Sequence, residues 1–173
     1  VGNLSISRHY YTSGNNSSTH GYVCGGWLDS STRSSAISRF TFPFDSGTAS
    51  HVGNLAISRW RATANNSSTH GYICGGQSAS TISLIERFSF PFDSGTASNV
   101  GGLSDRKIYS AANNSSIHGY ACGGQNDFLD HLSIIDRFSF PFDSGTASIV
   151  GNLSGSKRQT MATDNTDFVT QFI

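Results

Sequence analysis

Polar and apolar residues alternate along short stretches of this chain, and those stretches return in a fixed order. In ISRFTFPF, residues 37–44, alternation of period two puts Phe40, Phe42 and Phe44 on one face, the pattern of a half-buried strand. HGYVC, residues 20–24, predicts a shorter strand stopped by Gly25 and Gly26. Upstream, SRHYYTSG at residues 7–14 predicts a first strand, ended by a turn at Asn15-Asn16-Ser17-Ser18. Asp45-Ser46-Gly47 predicts the next turn, with aspartate at its start and a glycine able to take positive φ. A last strand is expected over about residues 48–52. Four strands in one unit predict one four-stranded sheet.

The unit is written three times. NNSSTHGYVCGG at residues 15–26 returns as NNSSTHGYICGG at 65–76 and as NNSSIHGYACGG at 113–124. FPFDSGTAS is identical at 42–50, 90–98 and 140–148. His20, His70 and His118 lie 50 and 48 residues apart, and VGNL or VGGL opens at Val1, Val52, Val100 and Val150. A period near 50 predicts a single all-β repeat domain in which each unit buries its faces against its neighbours. The expected units span about 6–53, 56–101 and 104–151, followed by a partial unit over 154–173 that ends TDFVTQFI and lacks the glycine pair.

The order arginine, turn, HGYxCGG, variable loop, IxRFxFPFD and short final strand resembles a kelch repeat. Tyr22, Tyr72 and Tyr120 before the glycine pairs match that pattern, as do Phe40, Phe88 and Phe138 on the third strand. The tryptophan of the family's fourth strand is replaced here by small residues and Val52, Val100 or Val150. The wording also resembles kelch-like repeats of structural and tail-associated proteins of marine phages. The resemblance implies a β-propeller of four-stranded antiparallel blades, about three and a half of them present. Propellers commonly have 4–8 blades, so the expectation is part of a larger ring or one completed by another chain.

Charge narrows the partners. Lys plus Arg and Asp plus Glu each number 11, so bulk charge gives no reason to expect capture of nucleic acid or anionic membrane. No apolar run approaches the roughly 18 residues of a spanning helix, and membrane insertion is not expected. The N-terminus shows no signal-peptide pattern and starts at Val1, which suggests a processed product or a piece of something longer. Only 13% of residues are charged, a composition that suits a virion or extracellular surface.

The repeated positions hold the candidate chemistry. Cys24, Cys74 and Cys122 are expected as small buried residues, because equivalent sites on neighbouring blades exceed disulfide reach and no CxxC or Cys-His ligand spacing occurs. His20, His70 and His118 are expected to hold strand edges, and the unrepeated His9, His51 and His131 to lie on the surface. Arg39, Arg87 and Arg137 are expected to bond neighbouring carbonyls or a turn aspartate among Asp45, Asp93 and Asp143. Arg8, Arg59, Arg106 and Arg158 are read as one recurring position at the start of the first strand. No catalytic set, metal site or cofactor is expected. Asn3, Asn15, Asn16, Asn65, Asn66, Asn113, Asn114 and Asn152 each open an N-x-S sequon, and are candidate glycan acceptors if the protein is secreted by a eukaryote.

What differs between units is the loop after the glycines, at residues 27–35, 77–84 and 125–133. Function in repeat folds is carried by such loops. The candidate binding residues are therefore Trp27, Asp29, Arg33, Gln77, Gln125, Asp127, Phe128 and His131, with Leu129 beside them. The expected function is a non-catalytic recognition or assembly module of a virion, tail- or fibre-associated, contacting a host-surface glycan or another virion protein. The alternative is a subunit of an extracellular fibre or cell-surface coat, joined through incomplete propeller ends.

Overall fold

In a computed structural model, which describes residues 2–8, 10–29 and 31–156, the chain forms twelve strands and no helix among those residues. They make three four-stranded antiparallel sheets, each a simple meander. The first holds β1 (Ser13–Asn16), β2 (His20–Cys24), β3 (Ala36–Thr41) and β4 (Ser50–Asn54). The second holds β5 (Thr63–Asn66), β6 (His70–Cys74), β7 (Leu84–Ser89) and β8 (Ser98–Gly102). The third holds β9 (Ala111–Asn114), β10 (His118–Cys122), β11 (Ile134–Ser139) and β12 (Ser148–Asn152). β1 lies beside β5 and β5 beside β9, so the sheets radiate from a shared inner edge as blades A, B and C.

The asparagine pairs were expected in a turn, and the structure corrects this. Asn15 and Asn16 lie inside β1, and the strand begins at Ser13 rather than Ser7. The reason is tertiary. Asn15 Nδ2 donates to Asn65 O and to Asn66 Oδ1 of blade B, both at 2.8 Å. Asn65 Nδ2 repeats this toward Asn113 O at 2.9 Å and Asn114 Oδ1 at 3.0 Å. Asparagine is a poor strand former alone, yet here its amide ties one inner strand to the next. Buried thiols orient it: Cys24 Sγ donates to Asn15 Oδ1 at 3.8 Å and Cys74 Sγ to Asn65 Oδ1 at 3.6 Å. The turn itself is held by Ser17 Oγ, which accepts from His20 N at 3.0 Å.

Between blades the contacts are strictly periodic. Tyr22 Oη accepts from Phe92 N and Tyr72 Oη from Phe142 N, each at 3.2 Å. Arg39 pairs with Asp93 and Arg87 with Asp143, so each arginine serves the turn of the following blade rather than its own. The tyrosine rings stack on Phe90 and Phe140 at centroid distances of 5.1 Å. The third strands end earlier than expected, at Thr41, Ser89 and Ser139, and a cis peptide bond precedes each proline that follows.

The glycines are fixed by crowding. A Cβ on Gly21 would lie 2.3 Å from the Phe40 ring, which packs over its cross-strand partner. Gly25 and Gly75 take φ near 62° and 63°, and a Cβ there would lie 2.6 Å from Arg59 O and 2.5 Å from Lys107 O. Those carbonyls accept from Gly26 N and Gly76 N at 2.8 and 2.9 Å, stitching each blade to the segment entering the next.

That entering segment corrects the arginine series. Arg59 is fully buried and paired with Glu86, and in the next blade Lys107, not Arg106, fills the same place against Asp136. Arg106 is exposed and faces Asp127. In blade A, Arg8 reaches Ser38 Oγ at 2.9 Å, so that sheet uses a hydroxyl where the others use a carboxylate. The expected partial fourth unit falls mostly on 157–173, and with Arg158 and His9 lies outside the described residues.

Candidate functional site

The repeats are nearly identical in their strands, so the positions where they differ are informative. Three bridged positions repeat in each blade: Tyr10, Trp60 and Ile108; Trp27, Gln77 and Gln125; and the partners of the latter, Arg33, Thr81 and His131. One residue after the first set stand Tyr11, Arg61 and Tyr109. All four sets lie at the Gly-Gly end of the inner strands, on one face of the fan. The bridges themselves run through N–H and C=O groups such as Gln77 N to Trp60 O at 2.9 Å. Thr81, Ile108 and Gln125 also bury their side chains, whereas the other positions leave theirs partly or fully exposed.

The variation builds an aromatic and guanidinium platform. Trp27 and Trp60 lie 4.3 Å apart between centroids, and Arg33 sits 5.4 Å over the Trp27 ring. Arg61 stacks at 3.5 Å on Trp60 and lies 4.8 Å from the Tyr109 centroid and 5.4 Å from that of Tyr11. Tyr11 meets Trp60 and Tyr109 edge-on at 5.4 and 5.5 Å. Gln77 Oε1 accepts from Arg61 Nη1 at 2.9 Å. Tyr10 is 63% exposed and Tyr11 42% exposed, so the platform opens to solvent.

Backbone conformation is unusual at the same place. Tyr11, Arg61 and Tyr109 have φ of 54°, 57° and 58°, a left-handed geometry that bulky residues seldom adopt. A hydrogen-bonded run holds them: Arg61 N donates to Tyr11 O at 3.3 Å and Tyr109 N to Arg61 O at 3.2 Å. Strain of this kind is typical of functional positions.

Beside the platform a cleft of about 260 Å³ runs between the loops of blades B and C, bordered by Arg61, Gln77, Thr81, Tyr109, Asn126 and Asp127. Asp127 accepts from Thr81 N at 3.0 Å, and that bond together with Arg106 holds its carboxyl below the ordinary range. Gln125 is buried, its Nε2 donating to Leu129 O at 3.1 Å, and so shapes its loop from within. Phe128 projects 85% exposed beside this cleft, and His131 is exposed. Asp29 accepts from Ser31 N and Thr32 N, at 3.0 and 2.9 Å, which caps its own loop and lowers its pKa.

The structure thus brings Trp27, Arg33, Gln77 and Asp127 together on one face, with Phe128 at its margin. Sequence reasoning missed Tyr10, Tyr11, Trp60, Arg61 and Tyr109. The signal was present: with NNSS aligned, WR at 60–61 and IY at 108–109 replace YY at 10–11 inside otherwise matching text.

The other candidate positions serve the scaffold. Cys24 and Cys74 are buried, and burial pushes the Cys24 thiol up to about 12 and Cys74 upward as well. His20 and His70 each share a hydrogen bond from Nδ1 with the preceding threonine at 2.8 Å, and burial lowers the His70 pKa. Of the sequon asparagines, Asn15 and Asn65 are buried with their Nδ2 atoms bonded to the neighbouring blade, while Asn3, Asn16 and Asn152 are exposed. Among the described residues, no three His, Cys, Asp or Glu side chains gather as metal ligands would. Comparison with protein-family models and with curated proteins gives no match.

Proposed function

We propose that this chain is a non-catalytic recognition module, part of a kelch-like β-propeller in a virion tail or fibre, which binds a host-surface glycan or another virion protein. One observation carries the reading. Three nearly identical repeats diverge at positions that converge on one face, and there they supply Trp27, Trp60, Tyr11, Arg33 and Arg61. The bridges at those positions run through backbone, so the fold does not itself call for these aromatic and arginine side chains. Aromatic and arginine side chains are the types enriched at recognition surfaces.

Eight of the repeated charges support a non-catalytic role, since they pair with one another: Arg59 with Glu86, Lys107 with Asp136, Arg39 with Asp93 and Arg87 with Asp143. Placement in a virion rests on the resemblance of the HGYxCGG and RFxFPFD wording to phage structural repeats. The test is binding of fluorescently labelled protein to intact cells of a panel of marine bacteria. Tyr10→Ser and Tyr11→Ser/Trp27→Ser variants, with unchanged urea midpoints, should lose that binding. Retention of full binding by folded platform variants would refute the reading.

A second reading, a fibre or coat subunit built by blade-to-blade joining, is favoured by one feature. Val52 and Val100 are 7% and 6% exposed, whereas the equivalent Val150 of blade C is 43% exposed, beside an exposed Arg137. That edge matches those of blades A and B, which blades B and C cover, so a further blade of the same kind would fit it.

A further inference from the structure

We infer that the ligand of the platform is a sparsely acidic saccharide, its carboxylate held by Arg61 or Arg33 and its sugar rings lying against the neighbouring aromatic faces; this rests on the recognition reading above. A pyranose presents flat C–H faces and a rim of hydroxyls. The site offers the complementary pair. Tyr10 and Tyr11 supply exposed ring faces beside the half-buried Trp27–Trp60 pair, and the adjoining cleft supplies Gln77 and Asn126 amides and the Asp127 carboxylate as a polar wall. Side chains of limited flexibility give contact area at low entropic cost, and the platform rings hold one another in place.

Charge sets the class of sugar. Arg61 is clamped by three rings and by Gln77, so its charge is fixed in position before any ligand arrives. Stacking uses the faces of a guanidinium, whereas carboxylates are recognised in its plane. Arg33 makes no salt bridge among the described residues and lies over Trp27, on the blade A side of the platform. The two cations therefore flank the paired tryptophans, an arrangement that suits an acid group on one or two sugars of a chain. A polyanion fits poorly, because Asp29, Asp127 and Asp130 stand in the same loops and are exposed. Single-stranded nucleic acid would also stack on such rings, but it needs a track of cations along its backbone, and the chain has zero net charge.

The experiment is isothermal titration of the whole chain with a hyaluronan tetrasaccharide, 3′-sialyllactose, cellotetraose and an eight-residue thymidine oligomer. At least one acidic saccharide should bind ten-fold or more tighter than cellotetraose, and weaken as salt is raised. Arg61→Gln should reduce that affinity about ten-fold, and Arg33→Gln also, while Arg137→Gln on the outer edge of blade C leaves it unchanged. Equal binding of cellotetraose, tighter binding of the thymidine oligomer, or no saccharide binding at millimolar concentration overturns the inference. If platform variants abolish cell binding while no saccharide binds, the recognition reading stands and the ligand is a protein. If platform variants leave cell binding intact, the recognition reading itself has failed.

Discussion

Glu86→Gln isolates the contribution of a buried charge to this scaffold. Glu86 and Arg59 are both fully buried and paired, and Glu86 also accepts from Ala56 N at 2.8 Å and Ile57 N at 3.3 Å. Arg59 donates further to Gly75 O at 3.0 Å and Leu84 O at 3.3 Å, so it is anchored and cannot swing out to water. Burial raises the Glu86 pKa and lowers that of Arg59, each opposed by the partner's charge. The amide keeps the shape of the side chain and leaves no cavity, yet it strands a buried guanidinium and replaces one acceptor oxygen by a donor. Removing one partner of a buried pair costs about 3–5 kcal/mol, a large share of the roughly 5–15 kcal/mol that holds a domain folded. The assay is urea unfolding followed by intrinsic fluorescence, with the midpoint falling and the slope unchanged. Asp93→Asn is the control, because the Arg39 pair has the same chemistry but an aspartate side chain 67% exposed. Its loss should stay below about 1 kcal/mol. A Glu86→Gln loss no larger than the Asp93→Asn loss would refute the argument that burial decides the difference.

Three further outcomes are expected. Asn65→Ala removes donors to Asn113 O, Asn114 Oδ1 and Tyr120 O, at 2.9, 3.0 and 3.1 Å, and should cost about 2–3 kcal/mol in urea unfolding; Asn99→Ala, which loses only a solvent-exposed bond from Gly101 N at 3.1 Å, should cost below about 1 kcal/mol. Gly71→Ala places a Cβ 2.6 Å from the Phe88 ring, itself wedged among Tyr22, Phe90 and Phe92, and should lose about 1–3 kcal/mol by the same assay. Cys24 and Cys74 have raised pKa values in the fold, so the neutral thiol is the form that the fold accommodates. Their contribution is complete below the ordinary thiol pKa of about 8.5 and declines as pH rises above it, by up to about 1.4 kcal/mol per pH unit for each thiol. Unfolding measured between about pH 8.5 and 11 should show this decline flattened in Cys24→Ala/Cys74→Ala, and an unaltered slope would count against it.

Sequence alone determined the repeat, the strand class and the variable loops. Exact recurrence of FPFDSGTAS and HGYxCGG fixes a local unit, and alternation with glycine punctuation fixes strands, because both depend on neighbours within a few residues. Tertiary structure decided what each polar residue is for. Asn15 reads as a turn former because the chain does not reveal that Asn65 and Asn66 will stand beside it, 50 and 51 residues away, to receive its amide. Lys107 rather than Arg106 takes the buried cation position because only one of two adjacent side chains can point at Asp136. The platform was half legible: Trp27 and Arg33 were singled out in a variable loop, while Trp60 and Arg61, in the segment before β5, were not counted as site residues. Its members come from two kinds of segment, at 10–11, 60–61 and 108–109 and in the loops after the glycines, and those segments meet only through the bridges that the fold supplies. Periodicity can mark which positions differ between copies; only packing shows that they differ toward one another.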